Sequence, residues 1–253
     1  MQHPAPRRAE VLASARITRN MLRITLGGAG LADFPQGSAG GYIKLRLFPG
    51  GRGTPVVVRT YTVRHQRAGE IDVDFALHAD ASGSHGPATD WALGVQPGDS
   101  IEIGGPGPAK PLPAGQDFYL LGGDMTALPA ISVNLEALPA EARGHAVIEV
   151  QYADDAQALA VPAGVTIEWL VNPDPGSQPE LLAKHLRAAM PSGGAVYAWV
   201  ASEFGAMRAA RSYLREECEL TTQQLYISSY WKRGLTEEAH KVAKREDSMT
   251  GEA

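Results

Sequence analysis

Phe118-Tyr119-Leu120-Leu121-Gly122-Gly123-Asp124-Met125-Thr126-Ala127-Leu128-Pro129-Ala130 decides the fold of the second half of this chain. Four apolar residues make a short buried strand, two glycines predict a loop after it, and the segment from Thr126 to Ala137 is helix-prone. Strand, glycine turn and helix in that order open an α/β unit. The rhythm repeats downstream: Ala146–Tyr152 and Val165–Leu170 read as strands, Leu181–Ala189 as a helix, Ala195–Ala201 as a buried strand, Phe204–Glu217 as a helix and Leu225–Ser229 as a last strand. Strands alternating with helices predict a mostly parallel sheet. From Thr236 onward the tail is charged and helix-prone, with Glu237 four residues before Lys241.

Upstream the period changes from helical to two. Ile43, Leu45 and Leu47 alternate with Tyr42, Lys44, Arg46 and Phe48. After the turn Pro49-Gly50-Gly51-Arg52-Gly53 comes Val56-Val57-Val58-Arg59-Thr60-Tyr61-Thr62-Val63, β-branched and aromatic as strands prefer. Ile71-Asp72-Val73-Asp74-Phe75-Ala76-Leu77 alternates again, and Ser100-Ile101-Glu102-Ile103-Gly104 follows the turn Pro97-Gly98-Asp99. Many short strands between Gly/Pro turns predict a closed barrel. Pro111-Leu112-Pro113-Ala114-Gly115 reads as a linker, which places a β domain at 1–114 and an α/β domain at 115–253.

Composition narrows the chemistry. The 253 residues are 44% hydrophobic and 20% charged, enough to bury a core in each half. A net charge of −5 argues against a nucleic-acid partner. The single cysteine, Cys218, excludes an internal disulfide framework and any multi-cysteine metal site. The start, MQHPAPRRAE, is basic without the apolar run of a signal peptide, and no stretch has the length of a membrane span. The expectation is a soluble, cytoplasmic monomer with no metal site of its own. Hydrolysis finds no support, since neither a G-x-S-x-G elbow nor H-E-x-x-H is present.

Four segments carry usable chemistry. In Arg59-Thr60-Tyr61-Thr62-Val63-Arg64, alternation puts Arg59 and Tyr61 on one face and Thr62 and Arg64 on the other. An arginine fork for phosphate, a ring for stacking and a hydroxyl suit a phosphorylated flat cofactor. The same residues also suit an ordinary exposed strand with Arg59 and Arg64 solvated. His78 ends a strand, and Ser84-His85-Gly86-Pro87-Ala88-Thr89-Asp90-Trp91-Ala92 opens a helix whose N–H groups can face a pyrophosphate, or else simply starts a helix with Trp91 in the core. Gly122-Gly123-Asp124 allows close backbone approach beside a helix N-terminus, although Asp124 equally suits a helix cap. Ser202 and Glu203 stand where a strand passes into a helix, and Tyr230-Trp231-Lys232-Arg233 sets two aromatics beside two cations.

Taken in order, Arg59–Arg64, His78, Gly86-Pro87-Ala88 with Trp91-Ala92, Gly123–Ala130 and Tyr230-Trp231-Lys232-Arg233-Gly234 resemble the siderophore-interacting proteins, FAD-dependent ferric-siderophore reductases of the ferredoxin-reductase superfamily. The resemblance runs from about Arg16 to Gly234. It implies an N-terminal Greek-key β-barrel flavin domain followed by a Rossmann-like nucleotide-binding α/β domain. By similarity Arg59 contacts the FAD phosphates, Tyr61 packs on the flavin, Thr62 bonds near its reactive edge and Arg64 helps position it, with Tyr61 and Thr62 nearest the chemistry. His78, Gly86, Pro87 and Ala88 hold the pyrophosphate and adenosine side. Asp124, Thr126, Ala127, Ser202 and Glu203 match the half that binds NADH or NADPH, and Thr60, Trp91, Tyr230 and Trp231 complete the implied cofactor-binding set. Lys44, Lys232 and Arg233 are candidates for a basic pocket receiving the iron chelate. The family usually has Glu where Met125 stands and Gly near Ser202, departures that bear on the nicotinamide half alone. The implied activity is reduction of a ferric siderophore by electrons from NAD(P)H, or a ferredoxin, through FAD. A general flavin or ferredoxin-type reductase and a siderophore-binding protein without catalysis are the alternatives.

Overall fold

The structure, a computed structural model, describes residues 5–51, 53–78 and 85–250; Arg52 and Ser84, parts of the loops quoted above, lie outside the described residues. The chain divides into two compact units, Met1–Pro111 and Leu112–Ala253.

The first unit is a closed six-stranded antiparallel barrel. Its strands are β1 (Arg7–Thr18), β2 (Met21–Gly27), β3 (Tyr42–Leu47), β4 (Val57–Arg67), β5 (Glu70–Ala76) and β6 (Ser100–Gly107), in the closed order β1-β2-β5-β4-β3-β6. The strands β3, β4 and β5 are successive neighbours while β2 lies beside β5, which is a Greek key. Alternation in β5 has a clear physical basis. Ile71, Val73 and Phe75 are buried in the barrel core with Ile24, Ile43, Leu45 and Val63. Asp72 and Asp74 face the other way and meet cations on neighbouring strands: Arg23 of β2 grips Asp74 at 2.6 and 2.7 Å, and Arg67 of β4 grips Asp72 at 2.8 and 2.9 Å. Helix α1 (Pro87–Gly94) packs against β3 and β5.

The second unit is a five-stranded parallel sheet built from β7 (Phe118–Asp124), β8 (Arg143–Val150), β9 (Gly164–Val171), β10 (Val196–Glu203) and β11 (Leu225–Trp231), in the order β11-β10-β7-β8-β9. Helices α2 (Leu128–Glu136), α3 (Pro179–Ala189) and α4 (Phe204–Ser212) connect them, and a π-helical turn, Tyr213–Glu217, ends α4. The chain runs from β7 outward to β8 and β9, then returns to β10 on the other flank. The carboxyl ends of β7 and β10 therefore form the topological switch point, where such sheets bind ligands.

The loop expected at Gly122-Gly123 is absent, because both glycines lie inside β7, which continues to Asp124. A Cβ on Gly123 would stand 2.6 Å from the Ala201 carbonyl oxygen and 2.9 Å from Ala127 Cβ, and one on Gly122 would stand 3.1 Å from Leu186 Cδ2. The missing side chains thus admit the neighbouring strand, α2 and α3 rather than a ligand. The tail forms α5 (Glu237–Thr250), which packs on β11. Lys244 Nζ donates to Ser228 Oγ at 2.7 Å and the Ser229 carbonyl at 3.0 Å, His240 meets Ser229 Oγ at 2.9 Å, and Asp247 accepts from Arg211 of α4 at 2.6 and 2.9 Å. Among the described residues no helix is long and apolar enough to cross a membrane.

Candidate functional site

On the barrel, β4 pairs with β3 so that Arg59 faces Leu45, Thr60 faces Lys44, Tyr61 faces Ile43 and Thr62 faces Tyr42. Tyr61 turns inward against the core, its ring centroid 4.3 Å from that of Phe75, and Phe75 lies 5.7 Å from Trp91 of α1. One aromatic row therefore links β4, β5 and the helix. Arg59 is half-buried and donates to the Val58 carbonyl at 2.9 Å. Arg64 is buried, which overturns the alternative of a solvated Arg64: the strand is drawn in where its register with β5 shifts between Val63 and His65. Thr60 and Lys44 face solvent together on the opposite side of the ribbon.

His78 is exposed just past β5, and His85 Nδ1 lies 2.9 Å from its carbonyl oxygen, which fastens the start of α1 to the end of that strand. Gly86 stands extended before the helix and Pro87 takes its first position, where a missing N–H costs nothing. A Cβ on Gly86 would touch no atom of the described residues. Ala88 is buried in the barrel core, leaving only its backbone to face a ligand, and Trp91 packs half-buried against that core.

On the α/β unit the ends of four strands converge through carboxylates. Asp124 is buried and accepts from Thr126 N at 2.9 Å, Thr126 Oγ1 at 2.5 Å, Glu203 N at 2.8 Å and Trp231 Nε1 at 2.8 Å. It closes the turn after β7 rather than capping α2, whose N-cap is Ala127. Burial pushes its carboxyl pKa up, against these hydrogen bonds. Glu203 caps α4, accepting from Gly205 N and from Ala206 N, and its second oxygen accepts from Arg233 N at 3.1 Å. Ser202 is buried beside it, with its hydroxyl on the Glu203 carbonyl at 3.3 Å. The phenol of Tyr230 is pushed well above its ordinary pKa by burial and by Tyr226 beside it. Met125, where the family's acid is expected, is buried, and Gln151 Nε2 points at its sulfur at 3.8 Å.

A third carboxylate, Glu149, was not among the residues expected from sequence. It stands opposite Asp124 in the β7–β8 pairing, is buried, and accepts from Asn172 Nδ2 at 2.9 Å. Burial, with Asp124 and Glu203 as like charges, raises its pKa to about 7. Asn172 in turn accepts from Asp174 N, Ser177 Oγ and Gln178 Nε2, all at 3.3 Å, and so organises a strap over residues 172–178. Gly176 in that strap has φ +74°, and a Cβ there would lie 2.9 Å from Glu203 Cγ and 3.2 Å from Trp231 Cη2. The available signal was an acid inside the apolar run Ala146-Val147-Ile148-Glu149-Val150.

The two motif cations are already engaged within this unit. Lys232 Nζ sits 4.2 Å over the Phe204 ring, and Arg233 pairs with Asp174 at 2.8 Å. The structure thus brings Asp124, Thr126, Ser202, Glu203 and Trp231 to one sheet edge, and Tyr61 and Trp91 to one aromatic row. Lys44 stands on an outward face of the barrel.

Two family profiles match the chain: Siderophore-interacting protein over residues 116–234, and the Siderophore-interacting FAD-binding domain over residues 50–110. Ferric vibriobactin reductase ViuB of Vibrio cholerae is 34% identical over 93% of this chain and 92% of its own length. The siderophore-interacting protein SipS from Aeromonas hydrophila superposes with a TM-score of 0.84 at 35% identity, covering 96% of this chain and 98% of that one. Ferredoxin-NADP+ reductase from Plasmodium falciparum shares the fold, with a TM-score of 0.67 at 10% identity over 89% of this chain and 96% of that one.

Proposed function

Because the chain belongs to the siderophore-interacting protein family and carries its FAD-binding domain, we propose that it reduces ferric siderophores, with FAD on the barrel and NADH or NADPH as electron donor at the carboxyl edge of the parallel sheet. The observation that carries this reading is the 34% identity to a ferric vibriobactin reductase along nearly the full length of both chains. The barrel fits the cofactor chemically. Tyr61 offers a half-buried ring held against Phe75, and a Cβ on Gly86 would meet no described atom at the N-terminus of α1, where backbone N–H groups favour phosphate oxygens. Arg59 and Arg64 supply the positive charge that two phosphates need, with Thr60 on the same strand and His78 just past β5. Thr62, the next residue along β4, offers a hydroxyl for the polar edge of the ring.

Bound FAD would supply the chemistry that couples a two-electron nicotinamide donor to one-electron reduction of chelated Fe(III). The residues of this chain bind and orient. Asp124 and Glu203 fix the switch point at which the nicotinamide nucleotide docks, and Tyr230 and Trp231 wall it. Lys44 on the barrel unit, and Lys232 and Arg233 on the α/β unit, each offer local positive field to an anionic chelate despite the net charge of −5. Iron leaves after reduction because Fe(II) is larger and softer than Fe(III), and catecholate or hydroxamate oxygens hold it poorly.

The test starts with cofactor released from purified protein by denaturation and identified by chromatography and mass. FAD, followed by anaerobic reduction of a ferric chelate with one of the two nicotinamides, is the expected result. Failure to take up FAD on incubation would overturn the reading. Reduction of dyes or a redox protein with no activity on ferric chelates would replace it with a general reductase.

A further inference from the structure

The guanidinium of Arg233 is held out from a fixed backbone. Its own N–H is bonded to Glu203, and its Cβ packs beside Gly176 of the strap. From there it reaches Asp174, with Nη1 2.8 Å from Oδ1 and Nη2 2.9 Å from Oδ2, and Nη1 also donates to the Pro175 carbonyl at 3.2 Å. This is a two-pronged fork on a carboxylate, the geometry with which arginine takes acidic oxygens of any origin. Both side chains are open to water, 47% exposed for Arg233 and 63% for Asp174, so the pair adds little to stability and exchanges readily for a better anion. The strap itself does not depend on the Asp174 carboxylate. It is pinned by Asn172 and Glu149 through Asp174 N, Ser177 and Gln178.

We propose that Asp174 is a specificity-determining residue that stands in for the anionic substrate, occupying Arg233 until a ferric chelate with acidic oxygens displaces it. This rests on the assignment of Arg233 to the chelate pocket made above. Displacement leaves Asp174 as an unpaired negative charge close to the ligand, so Arg233 passes to a chelate only when its charge and its oxygens outbid a single carboxylate. A neutral chelate leaves the pair intact and is bound through other contacts. Asp174 thereby lowers affinity for anionic chelates while leaving neutral ones untouched, and so narrows the preference that Arg233 alone would give to anionic chelates.

The experiment titrates oxidised FAD-loaded protein with two probes, the trianionic ferric tris-catecholate and a neutral ferric tris-hydroxamate, following quenching of protein fluorescence; reduction rates are read separately. Asp174→Asn should tighten the trianionic probe roughly threefold to tenfold, the range one exposed charge pair sets, and leave the neutral probe within about twofold. In Asp174→Asn/Arg233→Gln the gain should disappear. Asp174→Ala serves as the second variant, with the same expected ordering. Equal affinities of wild type and both Asp174 variants for the trianionic probe, with the wild type binding and reducing it, would overturn the inference and leave the reductase reading standing. So would a gain that survives loss of the guanidinium. A wild type that neither binds nor reduces either probe would overturn both.

Discussion

Trp231 donates its indole N–H to Asp124 Oδ2 at 2.8 Å across 107 positions of sequence, and the same oxygen takes the backbone N–H of Glu203 at 2.8 Å. The ends of β7, β10 and β11 are thus tied to one buried carboxylate. Removing a donor from a buried carboxyl oxygen costs more than the bond is worth, since the oxygen keeps its desolvation penalty. Trp231→Phe should lower unfolding free energy by about 1–3 kcal/mol, read as a shift of the urea midpoint with unchanged slope. An unmoved midpoint would mean that water replaces the indole and that the tie is not structural.

Gly123→Ala should be more damaging than its one methyl group implies. Its Cβ would be 2.6 Å from a backbone oxygen of β10 and 2.8 Å from Ile131 Cδ1, so strand and helix must both move. The expected loss is about 2–4 kcal/mol, at the upper end of overpacking effects. Gly86→Ala, into open space, provides the control, with a loss of less than about 1 kcal/mol.

Glu149 makes stability depend on pH. Its pKa is raised from 4.5 to about 7, so between those values the folded protein holds a proton that the unfolded chain has released. Stability from this group is therefore greatest below pH 4.5, falls as pH rises toward 7, and levels above that, with a span of at most about 3 kcal/mol. Glu149→Gln keeps a carbonyl for Asn172 and should flatten that fall, so that variant and wild type diverge between pH 5 and pH 8 in denaturant titrations. Parallel curves would show that Glu149 stays ionised throughout.

Flavin affinity should separate Arg59 and Tyr61 from Lys44. Arg59→Gln and Tyr61→Ala, on the inward face, are expected to weaken FAD binding by about tenfold or more. Lys44→Glu, on the outward face opposite Thr60, should leave FAD content unchanged and slow reduction of an anionic chelate. Titration of flavin-stripped protein, followed by fluorescence, distinguishes the two; a loss of FAD from Lys44→Glu would place that lysine with the cofactor instead.

The alternation at Ile43–Leu47 and Ile71–Leu77 and the strand–helix rhythm after Phe118 were legible because burial on one face imposes a period that composition cannot hide. The first two strands were less so. Only Ala9 and Val11 of β1 are buried, so its residues carry almost no inward period. Gly122-Gly123 misled for a different reason: glycine signals a turn by default, and only the packing of Leu186, Ala127 and Ala201 around it shows why a strand needs it here. Glu149 escaped notice because its partners, Asp124 and Asn172, lie more than twenty residues away on either side, and a lone acid in a strand becomes informative only when they are known. The burial of Arg64 was left open because a register shift, not the strand's period, decides it.

The strand orders also set a timetable for synthesis. Every strand of the barrel lies between Arg7 and Gly107, so β1 and β6 can meet as soon as that stretch has left the ribosome. The parallel sheet has no such early completion: β7 is made first yet lies in the middle, and its contact from Asp124 to Trp231 needs 107 more residues. The flank of β7 away from β8 is filled only by β10, which ends at Glu203, 79 residues after Asp124; at translation speeds of about 5–20 residues per second that flank stays open for about 4–16 s, while the half ahead of it is already able to close. Codon usage or chaperone supply over residues 125–231 should therefore govern the yield of this protein more than anything in its first hundred residues.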